Sequence, residues 1–80
     1  MEFDKFREIV SEVLEIGMEE VTEQALLVDD LGVDSMELMD ILLRTEEVFD
    51  VMPDVDPSLT DIRTVGDAYR SFVVSAGKNA

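Results

Sequence analysis

Residues 30–38 read DLGVDSMEL, a glycine-containing turn followed by the start of a long helical pattern. This stretch places the hydroxyl of Ser35 at the predicted beginning of the helix. One interpretation makes Ser35 an N-cap, since a serine there satisfies a backbone N–H that the helix leaves unpaired. The other interpretation makes its oxygen a point of covalent attachment. Ser35 alone does not distinguish between these two interpretations.

The helix predicted from Ser35 to about Asp50 has two different faces. One face carries the residues that can close a core, which are Leu38, Ile41, Leu42, Thr45, Val48 and Phe49. The opposite, mixed face combines apolar and acidic side chains, which are Met36, Met39, Asp40, Leu43 and Glu47. Single surface hydrophobes are ordinary. An aligned group that includes two methionines instead favours a docking face, because methionine conforms to differing partners and carboxylates orient them.

The chain before this helix contains one further helical pattern and a long connection. Gly17 is the expected end of the first helix. The apolar face of that helix is spaced three and four residues apart and consists of Phe3, Phe6, Val10, Val13 and Leu14. Thr22 is expected to start a short helical turn within the connection, residues 18–34. The inward anchors of the connection are expected to be Val21, Ala25, Leu27, Val28 and Leu31.

Two more helices are predicted after Asp50. Asp56 before Pro57 is typical of an N-cap followed by a first helical residue, which predicts a short helix there. Thr64 is expected to cap the last helix, with Asp67 at the spacing of a capping box. The apolar stripe of the last helix consists of Val65, Ala68, Tyr69, Phe72 and Val73.

These patterns predict an all-α fold, a small four-helix bundle with three main helices plus one short helix before the last. The chain has 80 residues, which is enough for one small domain. We expect this domain to span residues 1–74 and residues 75–80 to form a flexible C-terminal tail.

The composition argues against an independent enzyme and against a metal site. The chain has no cysteine and no histidine, so thiolate ligands and the commonest general base are both missing. Loops beginning at Asp29 or Asp54 do not supply the glycine and closing glutamate of an EF-hand. We therefore predict no catalytic residue and no metal.

The net charge of −14 disfavours nucleic acid and favours partners with basic surfaces. A hydrophobic content of 46% in periodic patterns argues against disorder. No stretch is suited to a membrane span, and no signal peptide is visible. The expected protein is a cytoplasmic monomer.

The nonapeptide resembles the prosthetic-group site of the acyl carrier proteins, whose D-S-L core is matched by Asp34, Ser35 and Met36. The similarity covers nearly the whole chain and includes the stretch 64–68, TVGDA. It implies that a phosphopantetheinyl transferase attaches 4′-phosphopantetheine from coenzyme A to Ser35. In this family the thiol of that arm holds acyl groups as thioesters for partner enzymes.

The resemblance also implies two further sites. Partners such as acyltransferases and ketosynthase-type enzymes would use basic surfaces to contact the docking residues, which are Met36, Met39, Asp40, Leu43, Glu46 and Glu47. An acyl chain would be sheltered between helices, near Leu42, Met52, Leu59 and Ile62.

Arg44 and the length of the second loop depart from the family pattern. Both fatty-acid and polyketide biosynthesis use such carriers, and these departures slightly favour polyketide or other secondary metabolism, including antibiotic pathways, as the setting. The alternative function is an acidic helical protein-interaction module without a prosthetic group, in which Ser35 is only a cap.

Overall fold

The computed structural model of the protein describes residues 2–51 and 62–74. Within them the chain is helical, as predicted, with α1 at Glu2–Leu14, α2 at Ser35–Phe49 and α3 at Val65–Tyr69. A 3₁₀ turn at Met18–Glu20 follows α1, and a π-helical turn at Arg70–Val74 extends α3. The all-α bundle is confirmed. The short helix predicted at Asp56, the Met52 and Leu59 positions and the predicted tail lie outside the described residues.

The core lies where α1, α2 and α3 meet beneath the connection between the first two helices. Phe6, at the centre of α1, packs its ring against Phe72, with ring centroids 6.4 Å apart. Phe3 and Tyr69 make an edge-to-face pair at 5.2 Å on the same side. The buried hydrophobic residues are Phe6, Ile9, Val10, Val21, Ala25, Leu27, Val33, Ile41, Leu42, Val65, Ala68, Phe72 and Val73.

The end of α1 differs from the prediction that Gly17 stops the helix. The helix ends at Leu14, and Glu15 adopts the left-handed conformation, with φ of 57°. Gly17 has an ordinary φ of −72°. The N–H of Ile16 reaches back to the carbonyl of Ser11 at 3.1 Å, which closes the end of the helix two residues early. Phe3, Val13 and Leu14 pack against the core as expected, and Ile9 is buried although it was not identified in advance.

The long connection is ordered by buried side chains and by hydrogen bonds to distant parts of the chain. Val21, Ala25 and Leu27 are buried, as predicted. The Leu27 N–H donates to the Arg63 carbonyl at 2.8 Å, and the Val65 N–H donates to the Ala25 carbonyl at 3.0 Å. These bonds fasten the connection to the start of α3.

One expectation for the connection is wrong, and another is met only in part. Val28 is 69% exposed because it lies in the turn that follows Leu27, where the chain curves away from the core. A single hydrogen-bonded turn does begin at Thr22, where the Ala25 N–H donates to the Thr22 carbonyl at 3.2 Å, but the helical turn of the connection is the 3₁₀ helix at Met18–Glu20.

Arg7 of α1 stabilises the connection through contacts that span a large sequence distance. Its Nε donates to the Val21 carbonyl and its Nη2 to the Met18 carbonyl, both at 2.7 Å. Its Nη1 also contacts Asp4 at 3.1 Å. A single guanidinium therefore satisfies two loop carbonyls at the surface of α1.

The core face of α2 is confirmed except at one residue. Ile41, Leu42 and Thr45 are buried, and the Thr45 hydroxyl donates to the Ile41 carbonyl at 2.7 Å. Val48 was expected to be buried but is 47% exposed. It lies at the edge of the core face, next to an open groove between α1 and α2, so α1 does not cover it.

The last helix forms as its sequence predicts. The Thr64 hydroxyl accepts the Asp67 N–H at 3.0 Å, and the Asp67 carboxylate accepts the Thr64 N–H at 3.1 Å. This reciprocal capping box starts α3, and its predicted apolar stripe faces the core. None of the helices in residues 2–51 and 62–74 has the length and apolar character needed to cross a membrane.

Candidate functional site

The start of α2 is capped by Asp34, so the interpretation of Ser35 as the N-cap is wrong. Asp34 Oδ1 accepts the Glu37 N–H at 2.7 Å, and Glu37 Oε1 accepts the Asp34 N–H at 3.1 Å. Asp34 has the extended backbone of a cap, with φ of −99° and ψ of 177°. Aspartate and serine are both good capping residues, but α2 begins at Ser35, one residue earlier than a cap at Ser35 would require.

Ser35 is the first residue of α2 and is exposed. Its hydroxyl makes no hydrogen bond to any residue in 2–51 or 62–74, whereas the neighbouring Asp34 and Glu37 are both engaged in the cap. Within the described chain the Ser35 oxygen therefore has no partner and lies exposed at the start of the helix.

The turn before Ser35 is held by short-range hydrogen bonds and one buried side chain. Asp30 Oδ2 accepts the Leu26 N–H at 2.8 Å, and Gly32 adopts the left-handed region at φ of 68°. The N–H of Val33 donates to the Leu27 carbonyl at 2.8 Å, and its side chain is 6% exposed. Val33 thus anchors the chain two residues before Ser35. The sequence pattern did not identify Val33, because an isolated apolar residue in a loop shows no periodicity.

The mixed face of α2 is at the surface, as its helical phase predicts. Met36 is 81% exposed, Leu43 is 53% exposed and Met39 is 42% exposed. Asp40 accepts a hydrogen bond from Arg44 Nε at 3.3 Å, and Glu46 and Glu47 follow about two turns later. Met36 lies directly after Ser35, so this face begins at the serine and runs along the helix.

The predicted acyl-pocket residues are only partly within the described chain. Leu42 is buried in the core, and Ile62 is half-buried and packs against the same core. Met52 and Leu59 lie outside the described residues. Leu42 and Ile62 therefore meet at the same core.

A groove between α1 and α2 was not predicted from the sequence. It encloses about 460 Å³ and is open to the surface. Its lining residues are Ile9, Glu12, Asp40, Leu43, Arg44, Glu47 and Val48. The sequence shows that Ile9 and Glu12 lie on one side of α1, since they are three residues apart, but it does not show how α1 packs against α2. Within residues 2–51 and 62–74 no three acidic side chains are grouped so as to hold a metal ion.

Comparison with known families matches residues 4–71 to the family described as "Phosphopantetheine attachment site". The chain is 46% identical over 65 residues to an acyl carrier protein of Thermotoga maritima, covering 81% of this chain and 79% of that protein. It is 41% identical over 68 residues to an acyl carrier protein of Caulobacter vibrioides, covering 84% and 85%. An acyl carrier protein of Wolinella succinogenes is 39% identical over 69 residues, covering 85% and 88%.

Proposed function

This chain belongs to the acyl carrier protein family, and on that premise we propose that Ser35 is the residue that bears its 4′-phosphopantetheine. The family carries acyl groups on this prosthetic group, and the chain is such a carrier. When bound, the arm supplies a thiol on which acyl groups are held as thioesters.

The observation that carries the proposal is the exposed hydroxyl of Ser35 at the first position of α2, which makes no hydrogen bond within the described residues. Attachment of a phosphodiester needs an oxygen that the fold does not use and that a transferase can approach. Because Asp34 and Glu37 form the cap between themselves, modification of Ser35 would cost the fold none of these hydrogen bonds. The residues present therefore fit the group.

The start of α2 also suits a phosphodiester for electrostatic reasons. The unpaired N–H groups and the dipole of a helix favour a negative group at its N-terminus. Asp34 and Glu37 hold this end of α2 in one conformation, while the turn at Gly32 and the buried Val33 hold the chain that leads into it. These residues would orient the attached arm away from the core.

Acyl carrier proteins work with biosynthetic enzymes, and we propose that those of this chain dock on Met36, Met39, Asp40, Leu43, Glu46 and Glu47. The supporting observation is an exposed apolar line on α2 that starts beside Ser35 and carries carboxylates. The expected partners are a phosphopantetheinyl transferase, acyltransferases and ketosynthase-type enzymes with basic surfaces. The net charge of −14 would speed their approach.

The cargo that we propose is an acyl intermediate of fatty-acid or polyketide biosynthesis, carried in the cytoplasm. Leu42 and Ile62 would contribute apolar surface to an acyl pocket, because both belong to the core beside α2. Each methylene of the acyl chain that is fully buried there would stabilise the sheltered chain by about 0.8 kcal/mol. The chain would position this cargo as a monomeric carrier domain, while catalysis would belong to its partners.

Intact-mass measurement tests the attachment site. The chain is incubated with coenzyme A and a broad-range phosphopantetheinyl transferase, and it should gain the mass of one arm. Ser35→Ala should gain none, whereas the matched control Ser71→Ala should be modified like the wild type. A gain of mass in Ser35→Ala would refute the assignment. No gain in any of the three proteins would favour the alternative of an acidic interaction module.

A further inference from the structure

We propose that the groove between α1 and α2 is a second docking subsite, which accepts an aliphatic side chain of a partner protein flanked by a basic residue. It deepens the proposed function, because it adds a surface on α1 to the docking residues of α2. It does not depend on the attachment of the arm to Ser35.

The lining of the groove suits an apolar side chain. Ile9 forms its floor and is only 5% exposed, so the base is a packed part of the core. Leu43 and Val48 line its α2 side and remain 53% and 47% exposed. An aliphatic group placed between them would cover two side chains that the fold leaves in water. Its burial is favourable because it removes apolar surface from solvent.

The charges around the groove determine which kind of partner residue can lie beside the aliphatic side chain. Glu12 of α1 and Glu47 of α2 line the groove, and neither forms an ion pair with another residue of the described chain. Asp40 also lines it but is already paired with Arg44 at 3.3 Å. The unmatched charge of the groove is therefore negative and comes from two different helices. A lysine or arginine beside the aliphatic anchor would complement it.

The same charges decide between classes of occupant. A second copy of this chain would bring another net charge of −14 toward the acidic groove, and a phosphate-bearing ligand would be repelled in the same way. A basic protein surface is attracted by the groove and by the whole molecule. The groove also shares Leu43 and Glu47 with the mixed face of α2, so one partner can cover both.

The test follows the binding of defined peptides to the full-length, ¹⁵N-labelled chain without its prosthetic group. The probe is a helical peptide in which leucines and lysines alternate along one face. Two control peptides replace all leucines by serine or all lysines by glutamate. The proposal expects saturable chemical-shift changes centred on Ile9, Glu12 and Val48 with the first peptide only. Changes spread evenly over the acidic surface, or none at all, would overturn it.

Matched variants separate the groove from general charge attraction. Glu12→Lys should weaken binding of the leucine–lysine peptide roughly three- to tenfold, since it converts an attraction into a repulsion. Asp29→Lys makes the same change in net charge outside the groove and should have a clearly smaller effect. Val48→Ala should also weaken binding, whereas Val28→Ala, at an exposed valine outside the groove, should not.

Equal effects within either pair would refute the subsite. Because Ser35 takes no part in peptide binding, that result would leave the attachment proposal untouched. Conversely, a mass measurement that refuted attachment at Ser35 would not change the expected binding of the peptides to the groove. The two failures are thus distinguishable.

Discussion

Asp34 and Glu37 hold each other's backbone at the start of α2. Each carboxylate accepts the N–H of the other residue, at 2.7 Å for the Glu37 N–H and 3.1 Å for the Asp34 N–H. Ser35 lies between them and takes no part in this pair, so the cap does not engage its hydroxyl. The stability of the helix start and the reactivity of the serine are therefore separate properties of adjacent residues.

Substitution of Asp34 tests this separation. Asp34→Ala removes the side-chain acceptor for the Glu37 N–H, and it should lower the free energy of unfolding by about 1 kcal/mol in urea denaturation. Asp34→Asn retains an oxygen acceptor and should lose much less. Equal losses in the two variants would show that the carboxylate charge, and not the cap, is what stabilises α2.

Arg7 should contribute more to the stability of the fold than its position on the surface of α1 suggests. Arg7→Ala leaves the Met18 and Val21 carbonyls without their guanidinium donor, so we expect a loss of about 2 kcal/mol in the free energy of unfolding. Asp4→Ala removes only the exposed ion pair with Arg7 and should cost about 0.5 kcal/mol or less. If Asp4→Ala were as damaging as Arg7→Ala, the ion pair would be the important contact.

Asp67 should make the stability of the fold depend on acid pH. Hydrogen bonds from the Thr64 N–H and the Arg70 guanidinium lower the pKa of Asp67 below its ordinary value of 3.8. A pKa that is lower in the folded than in the unfolded state means that ionised Asp67 stabilises the fold above the unfolded pKa. That contribution is lost as the pH falls through the folded pKa.

We therefore expect Asp67→Asn to be less stable than the wild type near neutral pH, with the difference shrinking as the pH falls below 3.8. Thermal unfolding across this range measures the difference. Asp29→Asn removes an exposed carboxylate without a hydrogen bond to the described residues and controls for net charge. A difference in stability between Asp67→Asn and the wild type that stays constant with pH would show that ionisation of Asp67 does not stabilise the fold.

Glu47 should contribute to the rate at which partner enzymes engage the carrier. Glu47→Lys should slow modification by a phosphopantetheinyl transferase roughly three- to tenfold at low salt, because charges at an interface mainly govern association. Added salt should slow the wild type and reduce the difference between the two proteins. Asp29→Lys, with the same net charge, should remain near the wild-type rate. Equal slowing of the two variants would assign the effect to overall charge.

The features that local spacing determines were predictable from the sequence. Thr64 and Asp67 form the capping box that their three-residue separation indicates, and the methionines of α2 are exposed on the line that helical phase assigns them. Each depends on contacts within about one turn of helix or on the rotation per residue. The family resemblance likewise rested on a contiguous motif around Ser35.

The features that depend on tertiary packing were not predictable. Val28 and Val48 are exposed although both are strongly apolar, because one lies in an outward turn and the other borders a groove that α1 does not fill. The contacts of Arg7 join residues 11 and 14 positions apart, beyond any helical period. The choice of Asp34 over Ser35 as the cap was a shift of one residue between two good capping residues.

The measurement that tests the central claim most directly is peptide mapping by fragmentation mass spectrometry of the carrier isolated from its host. The account predicts that the phosphopantetheine arm, with or without an acyl group, is found on the peptide that contains Asp34, Ser35 and Met36, and that fragmentation places it on Ser35. Location of the arm on any other residue, or a Ser35 peptide that is never modified, would contradict the account.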